Sequence, residues 1–198
     1  MKRIIPLILL LLFSTTVVQA QLFKKRKKTE NTEIGIGKVP VVNGRVVFEK
    51  SIKAEGLDAK SIEEIVQTWL AERFVRPVVN GIKIYEIETP NTITAKAEEY
   101  IVFRNTFLVL NRSRIYYFLT ITYEDGSCNL NMSRITYWWD DEAEDGGRKM
   151  MAEECITDEA SIDEKGKLRR FNGKFRIKTI ELFNILSAQL EERLNQKK

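Results

Sequence analysis

The 198-residue sequence predicts an α+β domain in which an antiparallel, curved sheet of about five strands runs in the order β-α-β-β-β-β-α, with the helices packed on one face. Three observations predict it. The stretch SIEEIVQTWLAERF spaces its apolar residues at the helical period. From Ile82 to Trp139 the period falls to two, and Ile, Val, Thr, Tyr and Phe dominate. A second helical stripe then closes the chain.

The N-terminus comes first. MKRIIPLILLLLFSTTVVQAQ sets two cations before an apolar run from Ile4 to Phe13, with the small residues Val18 and Ala20 where signal peptidase reads. Residues 1–20 are expected to be a signal peptide cleaved after Ala20, making the protein exported, periplasmic or cell-envelope associated. Lys24, Lys25, Arg26, Lys27 and Lys28 argue the other way. Five cations beyond the apolar run favour an uncleaved N-terminal membrane anchor over residues 4–23. The compact apolar core favours cleavage. Residues 21–38 read as a flexible basic leader. Its 24–28 cluster is a candidate for peripheral contact with anionic lipid or polysaccharide, although such runs are more often solvated tails. Residues 39–195 are expected to form a single domain, long enough for a proper core.

In VPVVNGRVVFEKSI, Asn43-Gly44 suits a tight turn, and Val46 and Phe48 alternate with Val47 and Glu49 as in a strand. In the first helix Ser61 and Glu64 have capping-box spacing. Ile62, Ile65, Val66, Trp69, Leu70 and Phe74 share one face, and Pro77 marks the stop. IKIYEIE, TITAKAEEYIVF, RIYYFLTITY and SCNLNMSRITYWW are the strands of a meander, with EDGS (residues 124–127) turning the last pair. The final helix, IKTIELFNILSAQLEERL, carries Ile180, Phe183, Leu186, Leu190 and Leu194 as its stripe.

The last strand changes parity. Cys128, Leu130 and Met132 are apolar at even positions, Ile135, Tyr137 and Trp139 at odd ones. An extra residue near Ser133-Arg134, a bulge, returns both sets to one face and turns Trp138 to the other.

Composition excludes several chemistries. There is no histidine, which removes Ser-His-Asp and Cys-His catalysis and histidine zinc sites. Two cysteines are too few for a cysteine zinc site. No cofactor signature is present and none is expected. Two of the 32 bases precede the apolar run and five lie in the 24–28 cluster, so the remainder holds 25 bases against 28 acids. The body is therefore net acidic and not a nucleic-acid binder.

VPVVNGRVVFEKSI, TWLAERF and AEECITDEASIDEKGKLRRFNGKFRIKTIELF resemble an exported family of Bacteroidota catalogued as domain of unknown function 4468. The resemblance covers most of residues 39–195 and implies a TATA-binding-protein-like (TBP-like) or helix-grip-like fold. It brings no established activity and no functional residues. The fold's namesake binds DNA, but fold alone does not carry function.

Candidate sites follow from local patterns. Trp138, with Tyr116 and Phe118 across the hairpin, is a candidate aromatic platform for sugar or peptide, against the plainer reading that it covers the sheet's outer face. Asp140, Glu142 and Asp145 lack the calcium-loop spacing, since the third and twelfth positions from Asp141 are Ala143 and Ala152. Residues 140–164 hold 11 acids and two bases, and residues 165–178 hold seven bases and no acid. Lys167, Arg169, Arg170, Lys174 and Arg176 thus join Trp138 as the candidate binding surface. The alternative places the basic segment beside the acidic one, anchored by Phe171 and Phe175. Cys128 and Cys155 are a candidate disulfide, with two separate thiols the favoured reading.

Two functions remain open. One is a non-catalytic module that binds a protein or glycan of the cell envelope. The other is a carrier of a small apolar ligand, held in a cleft between sheet and helices lined by residues such as Trp69, Phe118 and Phe183. A carboxylate-based hydrolase is least favoured, because no acid pair stands out.

Overall fold

The computed structural model describes residues 34–74, 82–85, 89–107 and 109–196. The proposed signal, the 4–23 anchor, the 24–28 cluster and Pro77 lie outside them. Val39–Lys198 form a compact unit of their own, which carries every element named below.

Strands β1 (Val41–Val42) and β2 (Arg45–Val46) form a small hairpin. Asn43 and Gly44 close it at φ of 51° and 74°, the positive pair that a two-residue turn of this hand requires. Strand β3 (Phe48–Lys53) follows, with Val46 and Phe48 buried and Glu49 exposed, as their alternation demands.

Helix α1 (Ala59–Arg73) starts earlier than its Ser61/Glu64 spacing suggests. Its cap is Asp58, whose carboxylate accepts from Ser61 N at 2.8 Å and is held below the usual carboxylate range by those hydrogen bonds. Asp125, in the turn of a distant hairpin, accepts from Ala59 N at 2.8 Å and so satisfies a second free donor. Ile62, Val66, Trp69 and Leu70 are the buried face.

The sheet then builds up from β4 (Ile82–Tyr85), β5 (Thr92–Thr106), β6 (Val109–Glu124) and β7 (Ser127–Trp139). All pairs are antiparallel, in the order β3-β7-β6-β5-β4. A short strand that the sequence pattern does not announce, β8 (Arg148–Met151), pairs with Thr136–Trp139. One edge of β7 is thus covered first by β3 and then by β8. The change of partner falls at the bulge, where Tyr116 faces Thr136 but Phe118 faces Ser133, and Arg134 takes φ of 51°. The extra residue keeps Met132, Ile135 and Tyr137 all buried on one face.

Two single-turn helices, α2 (Ala152–Cys155) and α3 (Asp158–Ser161), lead into α4 (Asn172–Asn195). The last helix begins at Asn172, five residues before the Ile177 at which the sequence pattern starts it. Gly173 permits this start, because a Cβ there would lie 2.8 Å from Leu168 Cβ. Both long helices pack on the same face of the sheet. Phe183 of α4 meets Phe48 at 5.3 Å between centroids, and Phe175 sits edge-on to Tyr137 at 5.0 Å. Burial of this apolar area is the main stabilising contribution, at roughly 25 cal/mol per Å2. Polar ties add geometry. Tyr117 Oη donates to Glu99 at 2.5 Å while Arg73 of α1 pairs with the same carboxylate at 2.9 Å. Tyr137 and Thr179 hydroxyls meet at 2.7 Å between β7 and α4.

Candidate functional site

The helices leave the other face of the sheet open. Register decides what that face displays, because residues directly opposed across an antiparallel pair project from the same side. One row runs Tyr100, Arg114, Trp138, Lys149 over four strands, aromatic and cation in alternation. The next runs Glu98, Tyr116, Thr136, Met151. Arg112 stacks over the Tyr100 ring at 3.9 Å, and Arg114 and Lys149 lie 5.3 and 4.6 Å from the Trp138 ring. Beyond the bulge Arg134 lies 5.2 Å from the Phe118 ring.

The acidic loop after β7 folds back onto this face. Glu142 pairs with Arg112 at 2.7 Å, Asp141 pairs with Arg114, and Glu98 reaches Arg114 at 3.3 Å. Burial works against the charge on Arg114, but Tyr100, Tyr116 and Asp141 outweigh it and hold the guanidinium more firmly protonated than usual. Trp138 Nε1 donates to Gly146 O at 2.8 Å, which fixes the indole edge to the loop. Asp145 accepts from Gly147 N at 3.0 Å. Glu142 and Asp145 are thus turned to arginine and backbone. Among the described residues no group of three or more carboxylates or thiols stands close enough to hold a metal ion.

Between Trp138 and β8 lies an open groove of about 380 Å3, lined by Tyr116, Thr136, Trp138, Lys149, Met151 and Glu154 among others. It offers the rings of Tyr116 and Trp138, the hydroxyls of Tyr116 and Thr136, an ammonium and a carboxylate. That set can stack against a ring and hydrogen-bond its substituents. It has no nucleophile activated by a base and no positioned acid–base pair for catalysis.

The six residues singled out by sequence do not form one surface. Trp138 belongs to the open face. Lys167, Arg169 and Arg170 are exposed in the turn ahead of α4, and none of them makes a salt bridge among the described residues. Lys174 is half-buried on the helix side, where its ammonium caps the rings of Trp139, Phe103 and Phe171 at 3.7, 4.5 and 4.7 Å, and burial lowers its pKa. Arg176 is not a surface residue. It is wholly buried, paired with Asp158 at 2.7 Å and donating to Ile156 O at 2.7 Å and Ser161 Oγ at 3.2 Å. The helix start at Asn172 explains it, since Arg176 then falls four residues before Ile180 on the buried stripe.

The charge blocks are divided in the same way. Asp158 and Asp163 do sit against the basic segment, the latter accepting from the backbone N of Lys165 and Lys167. Asp141 and Glu142 instead serve the arginines of β6, a pairing that no local pattern reveals. Phe175 is buried, whereas Phe171 is exposed and meets the rings of Trp139 and Phe175, at 5.9 and 5.3 Å between centroids. Cys128 and Cys155 are both free, buried thiols, so the candidate disulfide is not made. The sheet separates them. Cys128 lies near the start of β7, whereas Met151, just before α2, pairs with Thr136, some eight residues further along at ~3.3 Å each. Burial pushes the Cys128 thiol up to about 11 and the Cys155 thiol to about 12, so both are inert as nucleophiles.

No curated protein matches the sequence. Among solved structures, a DUF4468 family protein from Bacteroides ovatus is similar at a TM-score of 0.75 and 27% identity, covering 84% of this chain and 96% of that one. A TBP-like protein from Parabacteroides distasonis is similar in fold, with a TM-score of 0.64 at 18% identity over 81% of this chain and 99% of that one. Residues 48–138, from the start of β3 to the tryptophan of the open face, match the family model described as a domain of unknown function (DUF4468) with TBP-like fold, and it is this family that the chain resembles.

Proposed function

We infer that this is a non-catalytic binding module of the cell envelope, which holds a neutral glycan against the open face of the sheet beside Trp138. The observation that carries the reading is the groove of about 380 Å3 lined by Trp138, Tyr116, Thr136, Lys149 and Glu154. Aromatic faces with polar groups at their edges suit a sugar ring, which has apolar C–H faces and hydroxyl rims. Charge favours an uncharged ligand. Arg112 and Arg114 are already neutralised by Glu142, Asp141 and Glu98, so little net field is left to recruit an anion. Export rests on the N-terminal apolar segment with Val18 and Ala20. An uncleaved anchor would put the same module at a membrane surface.

The carrier reading fares less well. Trp69 and Phe183 lie in the helix–sheet core, Phe183 against Phe48, whereas Phe118 faces the opposite side of the sheet. The three do not surround a common space.

Calorimetric titration with neutral oligosaccharides from the host envelope tests the proposal. Wild type should bind with little change between low and high salt, and Trp138→Ala should weaken binding at least tenfold. Equal binding by the two proteins, or affinity that collapses with salt, would overturn it.

A further inference from the structure

The arm formed by β5 and β6 outruns its neighbours. Strand β4 pairs only with Thr94–Ala97 of β5, and β7 reaches only to Ser113 of β6. Past those points the register Val102 to Arg112, Arg104 to Asn111, Asn105 to Leu110 and Thr106 to Val109 holds two strands together alone. At the apex Phe107 is fully exposed, Leu110 is 54% exposed and Val102 38%. A soluble protein has reason to avoid a phenylalanine standing free at the end of a projecting arm. Arg104, exposed and without a salt bridge among the described residues, and Arg112 lie just behind it.

We propose that this tip inserts Phe107 and Leu110 into the headgroup–acyl boundary of a lipid bilayer, with Arg104 against the phosphates of anionic lipids. The order along the arm, apolar apex and then cation, matches the layering of a bilayer surface from acyl chain to headgroup. The tip is too small to hold a second copy of the chain. Phe107 and Leu110 together offer on the order of 300 Å2, against roughly 800 Å2 per partner in a stable interface. A single shallow contact of this kind binds a membrane reversibly.

The buried native thiols allow a direct test. In the full chain, Phe107→Cys can be labelled selectively with an environment-sensitive fluorophore, with Glu144→Cys in the acidic loop as the control site. Vesicles of phosphatidylethanolamine and phosphatidylglycerol are added, with or without spin-labelled acyl chains. The proposal expects the probe at 107 to brighten severalfold and to be quenched by the acyl-chain spin label, while the probe at 144 changes by less than half. A probe at 107 that stays dim and open to a water-soluble quencher on vesicle-bound protein would overturn it. So would brightening that depends on protein concentration without vesicles, which would assign the tip to a second copy.

Discussion

Replacing Arg176 with alanine separates a structural arginine from a docking one. Arg176 is wholly buried, and its guanidinium satisfies Asp158, the carbonyl of Ile156 and the hydroxyl of Ser161. Truncation removes the guanidinium donor from the Ile156 carbonyl and from Ser161 Oγ, which still bond each other at 3.2 Å, so this loss is about 1 kcal/mol each at most, and it empties a large side-chain volume beside α3. Asp158 is about a third exposed and can rehydrate, which holds the loss to the low end of the ~3–5 kcal/mol typical of a broken buried pair. We expect about 3–4 kcal/mol, or a fall in melting temperature of about 10 °C for a domain of this size. Urea unfolding followed by circular dichroism measures it, with Arg170→Ala as the exposed control, expected within about 0.5 kcal/mol of wild type. Arg176→Met, which restores volume but no donor, should recover part of the loss. If Arg176→Ala unfolds like Arg170→Ala, the start of α4 is misplaced and the arginine belongs on the surface.

Other consequences are as direct. In native protein both thiols should resist an aromatic disulfide reagent at neutral pH and react only on unfolding. Because the fold holds Cys128 and Cys155 above their ordinary value of 9.0, they contribute stability in full below about pH 9 and lose it as the pH rises towards 11 and 12, so melting curves should fall across that window. At the bulge, Arg134→Gly removes the left-handed strain of about 1 kcal/mol and loses only an exposed ring contact, so stability should hold or rise slightly, whereas Arg134→Val should destabilise by more than 1 kcal/mol. Gly147→Ala places a Cβ 2.2 Å from the Asp140 carbonyl oxygen at φ of 66° and should detach the acidic loop, read as a red shift of indole emission with a lower melting temperature.

The open face could be foreseen from the parity switch in β7. Two apolar sets of opposite parity in one strand need an extra residue between them, and once that residue is placed near Arg134, Trp138 must face away from the helices. The helix stripes were legible for the same reason, since burial imposes a period. Strand β8 was not, because RKMM has two charges and no alternation, and only its partner on β7 makes it a strand. Arg176 hid because the sequence pattern starts the last helix at Ile177, one residue after it, whereas the helix begins at Asn172 with Gly173 packed against Leu168. The pairing of Asp141 and Glu142 with β6 spans about thirty residues of sequence and has no local signal at all.

Three tryptophans report on the three competing surfaces. Trp69 lies in the helix–sheet core, Trp138 on the open face, and Trp139 beneath Lys174. A nitrogen–proton correlation spectrum, recorded while neutral envelope oligosaccharides are titrated in, follows each indole N–H separately. Binding at the open face predicts that the Trp138 resonance, bonded to the Gly146 carbonyl, moves with saturation while Trp69 and Trp139 stay fixed. Movement of Trp69 would place the ligand in the core, and movement of Trp139 alone would place it on the basic segment. Either result would contradict the account.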